Sequence, residues 1–286
     1  MPKKNKPPPA KPAVTTGRSE LVLRVASSAV LAPLAIGVAY VGGWPFWAFW
    51  AAAACGILWE WRKIVADPGP VWKGLGECLI AIAAASAMMG RTDAMAVFIG
   101  LGIAVEAIVA TTIHYRIWAA AGVLYAAALA LSCVLLRRDA DYGFVAIILL
   151  CAIVWATDIL AYFVGRFVGG PKLWVRVSPK KTWSGAIGGA VGAVAATLVV
   201  ARYANLANWV ALGGLALVLS MVSQAGDLFE SAFKRRFGVK DSSHVIPGHG
   251  GFMDRLDGFV AAAAVALMIG IARGGLGAPA RGLLVW

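Results

Sequence analysis

One charged stretch separates two apolar segments in the C-terminal part of the chain. Residues 223–257 read SQAGDLFESAFKRRFGVKDSSHVIPGHGGFMDRLD. Acidic and basic residues are mixed within this stretch: Asp227, Glu230, Asp241, Asp254 and Asp257 with Lys234, Arg235, Arg236, Lys240 and Arg255. Carboxylates beside cations on a glycine-broken loop are typical of a metal ion that holds a polyphosphate. The apolar flanks predict that this chemistry takes place at a membrane surface.

The composition predicts an integral membrane protein of the helical type. The 286 residues are 60% hydrophobic and 14% charged, whereas soluble domains are about 45–50% apolar and about 25% charged. Ten-residue alternation typical of a β-barrel is not seen. The net charge is +12, and the basic residues that produce it lie between apolar segments. Membrane orientation therefore explains this charge better than nucleic-acid binding does. Without paired spacing, the cysteines are interpreted as small hydrophobic residues: Cys55, Cys78, Cys133 and Cys151.

Nine apolar spans predict an all-α polytopic fold with about nine transmembrane helices and cytoplasmic catalytic loops. The predicted spans are Leu21–Gly42, Trp44–Glu60, Cys78–Met89, Ala94–Ile113, Ile117–Leu136, Tyr142–Val168, Gly185–Tyr203, Leu206–Gly226 and Gly258–Ala272. Eight is the alternative count, because the third and ninth spans are short. Residues 1–20 are predicted to be a disordered basic cytoplasmic tail, and residues 21–286 a single transmembrane catalytic domain.

The distribution of basic residues predicts the orientation. With nine spans and the N-terminus inside, 20 of the 26 Lys and Arg residues fall on the inner side. Loops 166–184 and 227–257 are then cytoplasmic, as expected for a protein of the cell inner membrane. The seventh span contains Gly185-x-x-x-Gly189 and Gly188-x-x-x-Gly192, a spacing compatible with packing inside one chain or with a homodimer seam.

The aspartates of the second loop form the predicted cation site. Asp227 directly follows the eighth span, and Asp254 and Asp257 are three residues apart, so they share a face if this segment is helical. Mg²⁺ prefers a few carboxylates together with substrate phosphate oxygens. Alternatively, Asp254 and Asp257 only stabilise a helix N-terminus. Zinc is disfavoured, because His244 and His249 are five residues apart without further ligands.

The first charged loop adds candidates for phosphate binding. Lys180 and Lys181 suit a triphosphate or a lipid phosphate, and Ser178 and Thr182 add hydroxyl donors. Asp158 is an intramembrane carboxylate and is therefore a functional candidate by default. Glu106, in the fourth span, is a functional candidate for the same reason, but it has no motif around it and could equally be a buried hydrogen-bonded strut.

The run Ser231–Asp257 resembles the signature of the phosphatidate cytidylyltransferases, also called CDP-diacylglycerol synthases, without a mismatch over its 27 positions. Ser178–Gly185 resembles the second landmark of that family, which usually has glutamate where Ser184 stands. The resemblance is close over residues 155–258 and loose elsewhere. It implies transfer of CMP from CTP to phosphatidic acid, which gives CDP-diacylglycerol and pyrophosphate, and it favours a homodimer.

The resemblance also implies roles for individual residues. Asp227 and Asp254 would be the ligands of Mg²⁺, with Asp257 in support and room for a second cation. The CTP phosphates or the pyrophosphate would contact Lys234, Arg235, Lys240 and Arg255. The phosphatidate headgroup or the nucleotide would contact Arg166, Lys180 and Lys181, and the phosphate loop would be shaped by His249, Gly250 and Gly251.

This chemistry requires charge neutralisation more than proton transfer, because the lipid phosphate oxygen is already anionic at pH 7. A transporter of an anionic metabolite is the alternative function. It is disfavoured because the charges crowd one rim and no repeat is seen. A CDP-alcohol phosphotransferase is disfavoured because the sequence after Asp254-Arg-Leu-Asp257-Gly258 lacks that family's Ala-Arg and later aspartates. A structural scaffold would leave Asp227 and the His-Gly-Gly run without a purpose.

Overall fold

A computed structural model describes residues 17–65, 74–110, 113–246 and 250–286. Helices make up most of this part of the chain: α1 Gly17–Val41, α2 Gly43–Val65, α3 Leu75–Met88, α4 Thr92–Val109, α5 Ile113–Arg137, α6 Gly143–Phe167, α7 Trp183–Tyr203, α8 Trp209–Arg236, α9 Met253–Gly274 and α10 Pro279–Leu284. Between α6 and α7 lies a two-stranded antiparallel hairpin, β1 Lys172–Trp174 and β2 Ser178–Thr182. The predicted helical class is confirmed, and the hairpin is an element that the sequence analysis did not predict.

Each predicted span corresponds to one helix, but not every helix is long and apolar enough to cross a membrane. Among the described residues six helices meet that criterion: Thr92–Val109, Tyr115–Arg137, Gly143–Phe167, Trp183–Tyr203, Trp209–Arg236 and Met253–Gly274. The chain therefore has the character of a membrane protein, while the count of nine spans stays a prediction. The first sixteen residues lie outside the described part, and α1 already begins at Gly17, so the predicted tail overlaps this helix at residues 17–20.

Helix α8 continues beyond the predicted end of its span. The sequence analysis placed the end of the eighth span at Gly226, but the helix runs to Arg236 and its C-cap is Phe237. Gly238, with φ of +72°, follows. Glu, Lys and Arg are good helix formers, so the charged residues extend the helix until glycine breaks it. Several candidate site residues therefore lie on a rigid helix rather than on a loop.

The glycines of α7 pack against α6 of the same chain. A Cβ at Gly185 would lie 2.7 Å from the carbonyl oxygen of Ala161, and a Cβ at Gly189 would lie 2.8 Å from that of Thr157. Only glycine permits two helix backbones to approach this closely. This packing supports the intramolecular alternative, so the homodimer stays a prediction without support from these glycines.

Replacement of Gly189 by leucine is expected to lower the thermal midpoint of the detergent-solubilised protein, because the new side chain would collide with the α6 backbone. Overpacking of this kind costs about 1–3 kcal/mol or more. Gly214→Leu on α8 is the matched control, because a Cβ there meets no atom within 4 Å and the residue is exposed. Equal thermal midpoints for the two variants would contradict this packing.

Two arginines at the C-terminal end of α5 donate hydrogen bonds to the ends of other helices. They lie at the end of the bundle opposite to Arg236, the last residue of α8. Arg137 Nε donates to the carbonyl oxygen of Ala39 at 2.6 Å. Arg138 donates to the carbonyl oxygens of Ala87 and Leu276, both at 3.1 Å. The last carbonyls of a helix lack intrahelical partners, so these guanidinium groups stabilise the ends of α1 and α3 and hold the turn before α10.

Candidate active site at the junction of α8 and α9

One face of α8 carries the acidic and basic residues of the site. Asp227, Glu230, Ser231 and Lys234 are spaced three or four residues apart, which places them along one side of the helix. Ser231 Oγ donates to Asp227 Oδ1 at 3.4 Å. Lys234 Nζ lies 2.8 Å from Glu230 Oε2, and the Glu230 side chain is 2% exposed. This row of side chains points towards the start of α9.

Asp254, in the first turn of α9, is fully engaged by groups of the chain. Its Oδ1 lies 2.5 Å from Lys234 Nζ. Its Oδ2 accepts hydrogen bonds from Ser242 Oγ at 2.8 Å, from the Ser242 N–H at 3.0 Å and from the Gly251 N–H at 2.9 Å. Asp254 therefore joins α8, the segment after α8 and the start of α9.

Glu60, near the C-terminal end of α2, is a site residue that the sequence analysis did not predict. It is completely buried. Its Oε1 accepts from Ser243 Oγ at 2.6 Å and from the Phe252 N–H at 2.8 Å; its Oε2 accepts from Ser242 Oγ at 2.9 Å and from the Met253 N–H at 2.8 Å. In the sequence, Glu60 is a carboxylate at the end of an apolar span. Charged residues at such a position are usually exposed, so nothing in the pattern indicated a buried site residue.

The glycines before α9 make room for these carboxylates. A Cβ at Gly251 would lie 2.6 Å from the Glu60 carboxyl carbon, and a Cβ at Gly250 would lie 2.7 Å from Asp254 Oδ2. Gly250 also has φ of +86°, a region that favours glycine. The sequence analysis interpreted these glycines as a cradle for an anion. In the structure their neighbours are two carboxylates of the chain, and the Gly251 N–H is already used by Asp254.

Asp227 lies on the more accessible side of the site, where the two charged segments meet. It forms an ion pair with Lys181 of β2, and the two side chains are 34% and 26% exposed. Asp158 of α6 lies within electrostatic range of Asp227, Lys181 and Arg255, and Asp257 lies within that of Asp227 and Glu230. The contact between Lys181 and Asp227 is tertiary, and it brings together segments that are far apart in the chain.

The predicted aspartate site for a metal ion stays a prediction. Among the described residues, no group of three or more His, Cys, Asp or Glu side chains could hold a metal ion. Asp254 is occupied by Lys234 and Ser242, and Asp227 by Lys181. The oxygen chemistry of Asp227 and Asp257 still suits a divalent cation, so Mg²⁺ binding stays a prediction that requires at least the Lys181 ammonium to move.

The remaining candidates of the first loop divide into exposed cations and structural hydroxyls. Arg166 and Lys180 are exposed, and Arg166 Nη1 donates to the Tyr162 hydroxyl at 2.7 Å. Thr182 is buried and caps α7 by accepting from the Gly185 N–H at 3.1 Å. Ser178 is half-buried on β2. The placement of Thr182 favours a structural role over phosphate binding.

The candidates near the second loop are mainly surface cations. Arg235, Lys240 and Arg255 are exposed, and His249 lies outside the described residues. Glu106, the intramembrane carboxylate of α4, lies 3.0 Å from Arg62 Nη1 and is buried. It is therefore a strut that fixes α4 to α2 by an ion pair, which is the first of its two alternatives.

An apolar groove opens beside the carboxylates. It has a volume of about 350 Å³ and lies between α5, α8 and α9. Its lining residues are Tyr125, Ala128, Val222, Ala225, Gly226, Phe229, Val260, Ala261 and Ala264. Gly226 directly precedes Asp227, so the groove and the charged site share the same turn of α8.

Fold and site together define a helical membrane protein with a cationic and acidic site beside an apolar groove. The chain belongs to the Cytidylyltransferase family, whose model matches residues 22–271. It is 43% identical over 254 residues to a phosphatidate cytidylyltransferase of Brucella abortus biovar 1 (strain 9-941), covering 88% of this chain and 94% of the relative. A protein of the same name from Bacillus subtilis (strain 168) is 43% identical over 126 residues, covering 44% of this chain and 47% of the relative. One from Staphylococcus aureus (strain COL) is 47% identical over 110 residues, covering 38% and 42%.

Proposed function

We propose that this chain is an enzyme of phospholipid biosynthesis that transfers CMP from CTP to phosphatidic acid, giving CDP-diacylglycerol and pyrophosphate. Membership of the family and the similarity to the Brucella relative over most of both chains support this activity. The structural observation that carries it is the ion pair between Lys181 and Asp227. That contact joins the two motif segments into one site with charges of both signs.

The reaction needs two polyanions to approach each other. An oxygen of the lipid phosphate attacks the α-phosphorus of CTP, a new P–O bond forms, and the bond to the β-phosphate breaks with release of pyrophosphate. Lys181 and Arg255 lie within electrostatic range of Asp158 and supply positive charge on the accessible side of the site. Fixed cations that neutralise the phosphates lower the barrier by electrostatic stabilisation and positioning.

A divalent cation fits the donor chemistry of this site. Asp227 and Asp257 are the carboxylates that we propose to hold Mg²⁺ together with phosphate oxygens of CTP. The bound ion would neutralise phosphate charge. In this proposal the Lys181 ammonium group moves from Asp227 to a substrate phosphate when the nucleotide binds. Asp254 keeps its contacts with Lys234 and Ser242 and holds these two residues in position.

The lipid substrate is accommodated by the apolar groove and the hairpin. We assign the groove between α5, α8 and α9 to an acyl chain, because it is apolar and adjoins Asp227. The hairpin carries exposed cations, Lys172, Arg176 and Lys180, next to Trp174 and Trp183, which are 50% and 55% exposed. Tryptophan and basic residues together are typical of a membrane interface. This end of the bundle is then the cytoplasmic side of the inner membrane, where CTP is available.

The proposed activity is tested with protein purified in detergent and supplied with CTP, phosphatidic acid and Mg²⁺. We expect CDP-diacylglycerol and pyrophosphate in equal amounts, and loss of turnover when the divalent cation is chelated. ATP and GTP in place of CTP measure the base preference. Binding of phosphatidic acid without nucleotide-dependent turnover would contradict the enzymatic function and favour the transporter or the scaffold.

A further inference from the structure

We propose that Glu60 of α2 is a positioning residue for the segment that connects α8 to α9. Its carboxylate holds Ser242, Ser243 and the first residues of α9, and through them it sets the position of Asp254 and Lys234. The kinetic part of this inference rests on the proposed CMP transfer, whereas the structural part does not.

The contacts of Glu60 form a clamp around both ends of the connecting segment. Ser242 and Ser243 lie shortly after α8, and Phe252 and Met253 lie at the start of α9. The carboxylate of Glu60 contacts all four, at 2.6–2.9 Å. The free N–H groups at a helix N-terminus carry partial positive charge, so α9 supplies the counter-charge for this buried carboxylate.

Helix α2 is itself held firmly on both sides of the clamp. Trp61 stacks on Phe233 of α8 with ring centroids 4.0 Å apart, and Trp50 stacks on Phe259 of α9 at 5.0 Å. Two residues beyond Glu60, Arg62 pairs with Glu77 and Glu106. A positioning group must be fixed by its own surroundings. The two ring stacks fix Glu60 relative to α8 and α9, whereas the Arg62 pairs hold α2 to α3 and α4.

A continuous chain of polar contacts leads from Glu60 to the cation on α8. Ser242 Oγ lies 2.9 Å from Glu60 Oε2 and 2.8 Å from Asp254 Oδ2. Asp254 Oδ1 lies 2.5 Å from Lys234 Nζ. A serine hydroxyl has one proton, so Ser242 Oγ donates to only one of the two carboxylate oxygens at a time. Both carboxylates nevertheless contact the same oxygen atom, and their positions are coupled through it. Displacement of Glu60 therefore shifts Asp254 and, with it, the ammonium group of Lys234.

The decisive variant is Glu60→Gln, which keeps the size of the side chain. Its amide NH₂ cannot accept hydrogen bonds, so part of the clamp is lost. A misplacement of about 1 Å can cost about 10²-fold in rate. We expect kcat/KM for CTP to fall by about 10- to 100-fold, with the KM for phosphatidic acid unchanged. Amide hydrogen exchange should rise in residues 238–246 and 250–256 and stay at the wild-type level in α6 and α7.

The matched control is Glu106→Gln. Glu106 is also a buried carboxylate of the N-terminal half, but within the described part of the chain its ion-pair partner is Arg62 of α2. We expect this variant to lower the thermal midpoint while the kcat/KM of the folded protein and the exchange of residues 238–246 and 250–256 remain near wild type. Ser242→Ala removes the hydroxyl that lies between Glu60 and Asp254 and leaves every residue of α2 unchanged; it should reproduce the direction of the Glu60→Gln effect and serves if Glu60→Gln does not fold.

The inference is overturned if Glu60→Gln loses activity only in proportion to the loss of folded protein, as a strut would. It is equally overturned if hydrogen exchange rises uniformly across the protein instead of in residues 238–246 and 250–256. Absence of CTP-dependent turnover in the wild-type protein would contradict the proposed function, and the exchange measurement would still decide whether Glu60 clamps the segment.

Discussion

Asp227→Asn is expected to lower kcat for CDP-diacylglycerol formation by about 10³-fold or more while the thermal midpoint stays close to that of the wild type. Removal of one preorganised electrostatic group from an active site costs about 10²–10³-fold, and here the substitution also removes a proposed cation ligand. The ion pair with Lys181 is partly exposed, and such pairs contribute only about 0–1 kcal/mol to stability.

Initial rates with CTP and phosphatidic acid, together with thermal unfolding in detergent, check this expectation. The matched control is Asp141→Asn, an exposed aspartate in the turn between α5 and α6, which should change neither quantity. Near-wild-type kcat in Asp227→Asn would remove Asp227 from the proposed site. A large drop in thermal midpoint would instead show that the pair with Lys181 is structural.

Asp254→Ala is expected to abolish turnover and also to destabilise the protein, in contrast to Asp227→Asn. The substitution removes one of the two carboxylates that contact the Lys234 ammonium group, which is 12% exposed and keeps only Glu230, and it leaves the N–H groups of Ser242 and Gly251 without their carboxylate acceptor. Loss of one partner from a buried ion pair costs about 3–5 kcal/mol. The thermal midpoint should therefore fall strongly, and hydrogen exchange should rise in the segment around Ser242.

Asp254→Asn separates the two effects. An asparagine carbonyl oxygen can still accept one of the hydrogen bonds from Ser242 or Gly251, so part of the stability should return while turnover stays low. If Asp254→Ala keeps the thermal midpoint of the wild type, the network around Lys234 does not carry the stability assigned to it here.

The sequence did not distinguish the environments of these two aspartates. Motif position assigned Asp227 and Asp254 the same role as metal ligands. In the structure Asp227 faces a cation on a partly exposed surface, whereas Asp254 is bound by an ammonium group, a hydroxyl and two backbone N–H groups. The spacing of residues along a chain predicts which of them share a helix face. It does not predict which face is covered by another helix or strand.

The helices themselves were largely predictable from the sequence. Long apolar runs must satisfy their backbone hydrogen bonds internally in a membrane, and helices do this locally. The predicted apolar span ends at Gly226, whereas helix α8 continues for ten more residues to Arg236. Charged residues end the apolar segment but do not end the helix, which is broken only near Gly238. The hairpin of β1 and β2 was missed because two such short strands carry little periodicity.

The sequence by itself determined the helical membrane character, the family resemblance and most of the polar residues at the site, since these depend on composition, local periodicity and motif spacing. Only the tertiary structure decided that Lys181 meets Asp227, that Gly251 makes room for Glu60, and that α2 holds the start of α9. Glu60 and its partners are separated by 182 to 193 residues. Contacts at such distances arise from packing of whole helices, and a buried carboxylate acquires its role from the donors that the packing brings to it.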